Sequence, residues 1–394
     1  MTKQGSSPLT GPLPAKALPA ANAGAPEKRV EPLELFFDLV FVFAITQVTA
    51  RLANDATGGG LVRGMLVLAA IWWAWGAYAW LTNEVDAGSA AVRGTIFAAM
   101  AAMLVCALAI PGAFEQDALT FAVAYLIVRV LHIGLFVVGA QHSGVRQAAL
   151  SLAGSALLAP AVLLVSAFLD GPAQAALWGV ALLIDYVGGA LRGIGGWRLS
   201  PAHFAERHGL IIIIALGESI IAIGVGASGV SLRAGTIGAA VLGIVVVCAL
   251  WWTYFDGSPE HAEERLRELG EGRLRNTAAR DAFSFLHLPM VAGIVLLALG
   301  VKKAVGHDTE PLDAIPAIAL GAGVTLFLAA HCAFRARLAQ PGGIAGLAVV
   351  ALLALVAVPV GYGVSALAAL GVLAAVGVVL MLVGKRPALS GGSS

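Results

Sequence analysis

The chain has 394 residues, of which 59% are hydrophobic and only 12% are charged, and its formal net charge is +1. An ordinary soluble domain carries about twice that share of charged residues, so the composition excludes this class and predicts a membrane protein. The nearly neutral charge, with no basic patch outside the expected loops, argues against a nucleic-acid partner. The expected partner is the lipid bilayer.

The two ends of the chain are not apolar enough to cross a membrane. Residues 1–28 are rich in Ala, Pro, Gly and Ser, and they contain no apolar core of the kind a signal peptide needs. We therefore expect a disordered cytoplasmic tail over 1–28 and a second disordered tail over 387–394.

Between these tails, apolar stretches recur along the whole chain. A helix needs about 20 residues to cross roughly 30 Å of hydrocarbon, and its backbone groups must be hydrogen-bonded within the segment. The sequence therefore predicts an all-α polytopic membrane protein with about twelve transmembrane helices. The stretches lie near residues 33–50, 62–82, 92–111, 118–140, 148–169, 173–191, 208–227, 235–255, 282–301, 313–334, 343–360 and 363–383.

The last two stretches are separated only by a turn around Pro359, Gly361 and Gly363, so a merged or re-entrant pair remains an alternative there. Alternating loops place eighteen of the 24 Lys and Arg residues on one side of the membrane and five on the other. Because cytoplasmic loops are enriched in positive charge, this bias predicts that both termini are cytoplasmic.

Two apolar stretches each enclose one carboxylate, Asp38 in ELFFDLVFVFAITQV (34–48), which begins at Glu34, and Glu218 in LIIIIALGESIIAIGVG (210–226). Each carboxylate is followed by a tryptophan pair, after 34 and 33 residues respectively: Trp72 and Trp73, and Trp251 and Trp252. This spacing indicates a duplicated unit in which Asp38 and Glu218 are equivalent.

Six helices per unit would start both units on the same side of the membrane. We therefore expect two parallel six-helix repeats, 29–200 and 201–386, related by an axis along the membrane normal. Within the second repeat, the charged segment 258–276 is expected to form a short cytoplasmic loop helix.

Ionisable side chains inside the membrane are the candidate site residues, because each costs about 2.5 to 3.5 kcal/mol near the bilayer centre unless it faces the protein interior and finds a partner. Helical spacing places Glu34 and Asp38 on one face, and Arg207 and Glu218 on one face. The full set of candidates for a substrate or ion path is Glu34, Asp38, Arg129, His132, Asp185, Arg207, His208 and Glu218.

Arg129 is expected to pair with Asp38, Asp185 or Glu218, and the sequence does not choose between them. The carboxylates either line a path for a cation or proton, with His132 or His287 as relay groups, or form ion pairs that fix the packing of the bundle. For the aromatic motif of Trp72, Trp73, Trp251 and Trp252, an interface belt or core packing is favoured over an aromatic-lined constriction.

Motifs of catalysis and metal binding are missing from the sequence. It contains no HExxH, GxSxG, P-loop or complete GxGxxG, and no Cys and His cluster with zinc-ligand spacing. The three cysteines lie far apart in apolar runs, which favours small buried hydrophobic residues. We expect no enzyme activity, no cofactor and no metal.

The motifs around both carboxylates resemble a known family. ELFFDLVFVFAITQV, the WWAW stretch from Trp72 and ERHGLIIIIALGESIIAIG from Glu206 are similar to the bacterial low temperature requirement A (LtrA) family, over residues 29 to about 385. The resemblance implies a multi-pass bacterial inner-membrane protein associated with growth in the cold. It implies no particular substrate or reaction.

A local similarity also links FDLVFVFAIT, from Phe37, to the first helix of the endolysosomal potassium channel family, whose subunits contain six-helix repeats. That family has a serine where this chain has Phe37. Together these features predict a transporter or channel for a small ion or solute that uses intramembrane carboxylates. The alternative is a structural or envelope-adaptation membrane protein whose buried ion pairs only hold the helix bundle together.

Overall fold

A computed structural model of the protein describes residues 28–85, 89–139, 143–191, 196–340 and 342–383. The tails expected over 1–28 and 387–394 lie outside these residues, apart from Lys28. All regular secondary structure in the described ranges is helical.

The first half of the chain forms six helices. They are α1 (Pro32–Asn54), α2 (Gly58–Glu84), α3 (Ala90–Leu108), α4 (Ala118–Gly139), α5 (Ser143–Ser166) and α6 (Gly171–Leu191). The second half contains more and shorter elements. They are α7 (Pro201–Ala227), α8 (Ala234–Phe255), α9 (Ser258–Glu268), α10 (Arg273–Ala279), a π-helix (Arg280–Phe285), α11 (His287–Gly306), α12 (Ala314–Arg337), α13 (Ile344–Ala354), α14 (Ala357–Gly363) and α15 (Ala366–Val383).

Eleven of the described helical segments are long and apolar enough to cross a membrane, and a shorter apolar helix covers Ala366–Leu382. The all-α polytopic membrane fold predicted from the sequence is therefore confirmed. Short connections run between several of the spanning helices, as expected when consecutive helices cross the membrane in opposite directions.

Helices α1 and α7 begin in the same way, with a proline in the first turn, Pro32 and Pro201. Proline is favoured there because its missing N–H would have no partner inside the helix anyway. In α1, the Glu34 side chain also accepts a hydrogen bond from the Glu31 backbone N–H at 3.0 Å and completes a capping box. The first turn therefore fixes where Glu34 lies.

The turn from α1 to α2 is held by Asp55. Its carboxylate accepts hydrogen bonds from the Thr57 hydroxyl at 2.7 Å and from the Arg63 guanidinium at 2.6 Å. These two bonds, the Thr57 hydroxyl first, lower the pKa of Asp55. Thr57 in turn accepts from the Gly60 N–H as the N-cap of α2.

Helices α1 and α7 run parallel to each other. Contacts between them advance in the same direction along both helices, from Glu34 with His203, through Asp38 with Arg207, to Thr46 with Glu218. Two parallel helices in one chain have an odd number of crossings between them, and five spanning helices, α2 to α6, lie between α1 and α7. Both halves of the chain therefore start on the same side of the bundle.

Helix α11 packs against α7 and α12 near the centre of the second half, and it also contacts α1. Glycines allow the close approach to α12. A Cβ atom added to Gly293 would lie 2.5 Å from the carbonyl oxygen of Gly323 and 2.7 Å from the backbone nitrogen of Phe327. Small residues are commonly found where membrane helices come this close.

The segment after α8 is helical but interrupted. Gly257 has a φ of +83° and separates α8 from α9, the helix that occupies the first part of segment 258–276. On α9, Arg265 pairs with Glu268 at 2.8 Å. The chain then enters α11 through the π-helix, a wider turn that often occurs at functional sites.

The last two apolar stretches form separate helices rather than one merged span. Val364 and Ser365 join α14 to α15, while the Leu312 N–H donates to the Gly361 carbonyl at 2.8 Å. The Ala366 N–H donates to the Glu310 carbonyl at 2.9 Å. These bonds tie the turn between α14 and α15 to the segment that precedes α12.

We predict that Gly293→Ala destabilises the protein, because the new methyl group meets backbone atoms of α12 that cannot move aside independently. The expected loss is about 1 to 3 kcal/mol, seen as a lower thermal unfolding temperature in detergent. Gly134→Ala in α4 is the matched control, since its Cβ would have open space around it. Equal stability of the two variants would contradict close packing at this crossing.

Candidate functional site

The interface between α1 and α7 contains a cluster of four buried ionisable side chains. Asp38 accepts a hydrogen bond from Arg207 Nη2 at 2.9 Å, and Glu34 lies 2.8 Å from His203 Nε2. Arg207 Nη1 also lies 3.9 Å from Glu34. All four side chains are at most 3% exposed, and each carboxylate has a guanidinium or imidazole partner inside the protein.

Spacing along the helices creates this cluster. Glu34 and Asp38 are four residues apart on α1, and His203 and Arg207 are four apart on α7, so each pair lies on one helix face. Trp75 of α2 completes the cluster, since its indole N–H donates to Asp38 at 2.8 Å and its ring lies 5.8 Å from the Arg207 guanidinium. The cluster therefore joins α1, α2 and α7.

Polar atoms of the cluster retain unused hydrogen-bonding capacity. One oxygen of Asp38 and two nitrogens of Arg207 have no hydrogen-bond partner among the described residues. A small cavity of about 10 Å³ lies beside Glu34 and Arg207, which is space for about one water molecule. Buried water is the usual solution for such atoms.

Glu218 lies on the same interface but has different surroundings. Its carboxylate is 2.5 Å from the Thr46 hydroxyl, and the residue is 3% exposed. Among the described residues, no Lys, Arg or His nitrogen lies within 4.0 Å of this carboxylate. Glu218 thus differs from Glu34 and Asp38, which both have cationic or imidazole partners.

Asp38 and Glu218 lie at different depths in the bundle. The sequence interpretation expected equal depths, because it treated them as equivalent residues related by an axis along the membrane normal. Asp38 is level with Arg207, whereas Glu218 is level with Thr46. Eight residues of helix separate Asp38 from Thr46, a rise of about 12 Å. The two carboxylates therefore lie at different depths in the bundle.

A second buried ion pair lies in the first half of the chain. Arg129 Nη2 of α4 donates to Asp185 of α6 at 2.9 Å, and both side chains are at most 3% exposed. The Tyr125 hydroxyl lies 3.5 Å from the other oxygen of Asp185. Of the three partners open to Arg129 from the sequence, the structure therefore selects Asp185.

Three buried histidines, His132, His208 and His287, each make their own hydrogen bonds. His132 Nε2 is 3.0 Å from the Ala77 carbonyl, and His208 Nδ1 is 2.9 Å from the Phe204 carbonyl. His287 accepts from the Tyr254 hydroxyl at 2.8 Å, and its ring centre lies 5.3 Å from that of His208. His208 and His287 are thus neighbours, while His132 is near Arg129.

The two tryptophan pairs lie in different surroundings. Trp72 is fully buried and its indole N–H donates to the Ser284 carbonyl at 2.8 Å. Trp251 and Trp252 are 43% and 39% exposed on the outside of the bundle. Trp72 belongs to the core, whereas Trp73 is half-buried and its ring stacks 6.1 Å from Phe285. Trp251 and Trp252 lie outside the core.

Metal ligands do not cluster in the part of the chain that the structure describes, where no group of three or more His, Cys, Asp or Glu could hold a metal ion. Cys106 and Cys332 are buried, as small hydrophobic residues would be. Cys248 differs, since it is exposed on α8.

Sequence reasoning missed His203 and Thr46, which are the direct partners of Glu34 and Glu218. A signal for His203 is present in the sequence. Glu34 and Asp38 follow Pro32 by two and six residues, and His203 and Arg207 follow Pro201 by the same numbers. Acidic residues at one pair of positions and basic residues at the other predict contact between the two segments.

The fold and its buried charges define a polytopic α-helical membrane protein with an ionisable interior. Comparison with known proteins identifies the family. The family model described as "Bacterial low temperature requirement A protein (LtrA)" matches residues 29–382. A protein of Rhizobium meliloti (strain 1021), named only as uncharacterized, is 31% identical over 308 residues, which cover 75% of this chain and 74% of that protein. The chain belongs to the LtrA family.

We predict that Asp185→Asn strongly destabilises the protein, because it leaves the Arg129 guanidinium buried with no counter-charge at contact distance. Removing one partner of a buried ion pair costs about 3 to 5 kcal/mol, measurable by thermal unfolding in detergent. Glu268→Gln in the exposed pair with Arg265 is the control and should change stability by less than about 1 kcal/mol. An unchanged Asp185→Asn would show that this pair does not stabilise the bundle.

Proposed function

We propose that this LtrA family protein is a transporter or channel for protons or small cations, rather than an enzyme, and that Glu218 is the group that binds the transported ion. The observation that carries the proposal is the burial of the Glu218 carboxylate with threonine hydroxyls beside it and no described cation within 4.0 Å, since Lys302 acts on it only from farther away. An uncompensated carboxylate inside a membrane protein is costly. Taking up a proton or a cation removes that cost.

Thr46 suits both states of Glu218. A hydroxyl has one proton to donate and two lone pairs to accept with. The Thr46 oxygen lies 2.5 Å from Glu218 and 3.2 Å from the Val42 carbonyl. It can therefore donate to an ionised Glu218, or donate to Val42 while it accepts from a protonated Glu218. Neither state requires the helices to move.

Polar groups at three levels of the α1–α7 interface support a route for the transported ion along this interface. Glu34 and Asp38 mark the first two levels and Glu218 the third. Between Asp38 and Glu218 the core is apolar, with Phe41 completely buried. An apolar stretch between polar sites is a common form of barrier in channels and transporters. We infer that the structure represents a state closed at Phe41.

We also propose that the protein is a duplication with a spacing of 169 residues. This spacing aligns Pro32 with Pro201, and it aligns Asp38 with its contact partner Arg207. Contacts between helices support the same alignment, since α1 packs on α3 as α7 packs on α11, and α2 packs on α6 as α8 packs on α15. Equivalent positions would then meet near the axis between the repeats.

A second candidate function is the structural or envelope-adaptation role, in which buried ion pairs only hold the bundle together. The cluster of Asp38 with Arg207 and Glu34 with His203 favours it, because each carboxylate there has a basic side chain in contact. This role assigns no special task to Glu218. The two functions therefore differ at Glu218 and agree at Asp38.

We predict that Glu218→Gln abolishes ion flux but preserves folding. The amide keeps the shape and the hydrogen bond to Thr46, while it removes the carboxylate that binds the ion. Flux would be measured in proteoliposomes under separate H⁺, Na⁺ and K⁺ gradients, and unfolding temperature in detergent.

Asp38→Asn is the comparison variant for Glu218→Gln. It should lower the unfolding temperature, because Arg207 loses its closest counter-charge. If wild type carries none of the three ions, or if Glu218→Gln conducts as wild type does, the transport function is wrong. In the first case the structural role becomes the better account.

We propose that the protein lies in the bacterial inner membrane with both termini cytoplasmic, which the bias of Lys and Arg supports. Single cysteines placed at Glu264 in α9 and at Ser231 before α8 would then lie on opposite sides of the membrane. In a background without native cysteines, a membrane-impermeant maleimide added to intact cells should label only Ser231→Cys. Labelling of Glu264→Cys alone would show that the protein has the opposite orientation in the membrane.

A further inference from the structure

Two hydroxyl groups of α1 lie beside the Glu218 carboxylate. Thr46 and Thr49 are three residues apart, so their side chains share one face of the helix. The Thr46 hydroxyl is 2.5 Å from Glu218 Oε2, and the Thr49 hydroxyl also lies beside this carboxylate. Thr46 is half-buried, while Thr49 and Glu218 are buried. The nature of these neighbours limits which ion can bind.

The separation of Thr46 and Glu218 is that of a strong hydrogen bond. A hydroxyl that donates to a carboxylate lies about 2.5 to 2.7 Å from it, measured between the two oxygens. The distance of 2.5 Å is at the short end of this range. One proton fits between the two oxygens, and a larger ion does not.

A metal cation would require a wider site. Oxygens lie about 2.3 to 2.6 Å from a bound Ca²⁺, so neighbouring ligands are roughly 3 Å or more apart. Na⁺ is close to Ca²⁺ in size and K⁺ is larger. Either ion would therefore have to move the Thr46 and Glu218 oxygens, which are 2.5 Å apart, at least about 0.5 Å further apart.

The supply of oxygen ligands is also small. Hard cations such as Ca²⁺ and Mg²⁺ take about six or more oxygens. Glu218, Thr46 and Thr49 together offer two carboxylate oxygens and two hydroxyls. The Val42 and Ile45 carbonyls, 3.2 Å from the two hydroxyls, already accept the backbone hydrogen bonds of the helix. A proton needs only one oxygen to bind and one acceptor for its hydrogen bond.

Few charged groups face Glu218 in the described part of the chain. Lys302 of α11 acts on it from beyond 4.0 Å. Helix α8, which also packs on α7, has no Asp, Glu, Lys, Arg or His. The nearest charged residues to Thr46 along α1 are Asp38 and Arg51, and His208 is ten residues from Glu218 on α7. The Lys302 charge favours an ionised Glu218, whereas burial favours a protonated one, so both states are within reach.

We propose that the ion carried by Glu218 is the proton, and that Na⁺ and K⁺ are not substrates. The inference rests on the proposed transport function and narrows it to one ion. An ionised Glu218 accepts the hydrogen bond of Thr46. When a proton arrives along the α1–α7 interface, it binds a carboxylate oxygen, the new O–H donates to the Thr46 oxygen, and the Thr46 O–H turns to the Val42 carbonyl.

Release of the proton reverses these steps. The O–H bond of Glu218 breaks, the proton leaves, and the Thr46 O–H turns back to the ionised carboxylate. The ionised state needs this donor, because a buried carboxylate without hydrogen bonds is unfavourable. Thr46 therefore determines how readily Glu218 gives up its proton.

The test compares three ions in proteoliposomes of the full-length protein. Proton flux is followed with a pH-sensitive dye inside the vesicles, and Na⁺ and K⁺ uptake with radioactive sodium and rubidium tracers. Wild type should carry protons, and Glu218→Gln should conduct no faster than vesicles without protein. Sodium and rubidium uptake should be the same in wild type and Glu218→Gln.

Thr46→Val tests the role of the hydroxyl. Valine is close to threonine in shape but cannot donate to an ionised Glu218. Proton flux should fall at least about tenfold, which corresponds to the loss of one hydrogen bond to a charged group. Thr46→Ser keeps the hydroxyl and should conduct as wild type does. Thr253→Val is the matched control, because the Thr253 hydroxyl donates to the carbonyl one turn earlier, that of Ala249, at 2.7 Å.

Two results would overturn this inference and leave the transport function intact: sodium or rubidium uptake that depends on Glu218, or equal proton flux in Thr46→Val and wild type. A wild type that carries none of the three ions would contradict the transport function, and this inference with it. Unfolding temperatures in detergent show whether each variant is folded, and Thr46→Ser and the tracer measurements do not depend on the stability of Thr46→Val.

Discussion

The bond between Arg207 and Asp38 is the interaction on which the rest of the structure depends. A guanidinium and a carboxylate inside a membrane protein are tolerated only when they meet, and these two belong to the first helix of each half. Their contact, with the parallel contact of Glu34 and His203, fixes the register of α1 against α7. It also requires both halves to begin on the same side of the bundle.

Glu218 stands out because the same constraint is not met there. The described residues supply threonine hydroxyls to this carboxylate and place no cation within 4.0 Å of it, with Lys302 farther away, whereas Asp38 and Asp185 are each in direct contact with a guanidinium. A bundle selected only for stability would gain by replacing Glu218 with an apolar residue. The proposed ion binding would give the carboxylate a reason to be present.

Apolar length alone was enough to predict the helices, because every membrane-crossing segment must satisfy its own backbone. The pairing of charges was harder, since partners such as Asp38 and Arg207 lie 169 residues apart. The sequence interpretation matched Asp38 with Glu218 because both are carboxylates. In the structure, the acidic residues of α1 contact basic residues of α7. The exposed Trp251 likewise shows that a repeated residue type need not occupy a repeated environment.

Infrared difference spectroscopy of the reconstituted protein tests the central claim most directly. It separates a protonated carboxyl group from an ionised one, and Glu218→Gln identifies which band belongs to Glu218. We predict a Glu218 band that changes when pH is varied or when one small cation is added, because this group exchanges a proton or an ion. A band that is insensitive to pH and to Na⁺ and K⁺ would contradict the role of Glu218 as an ion-binding group.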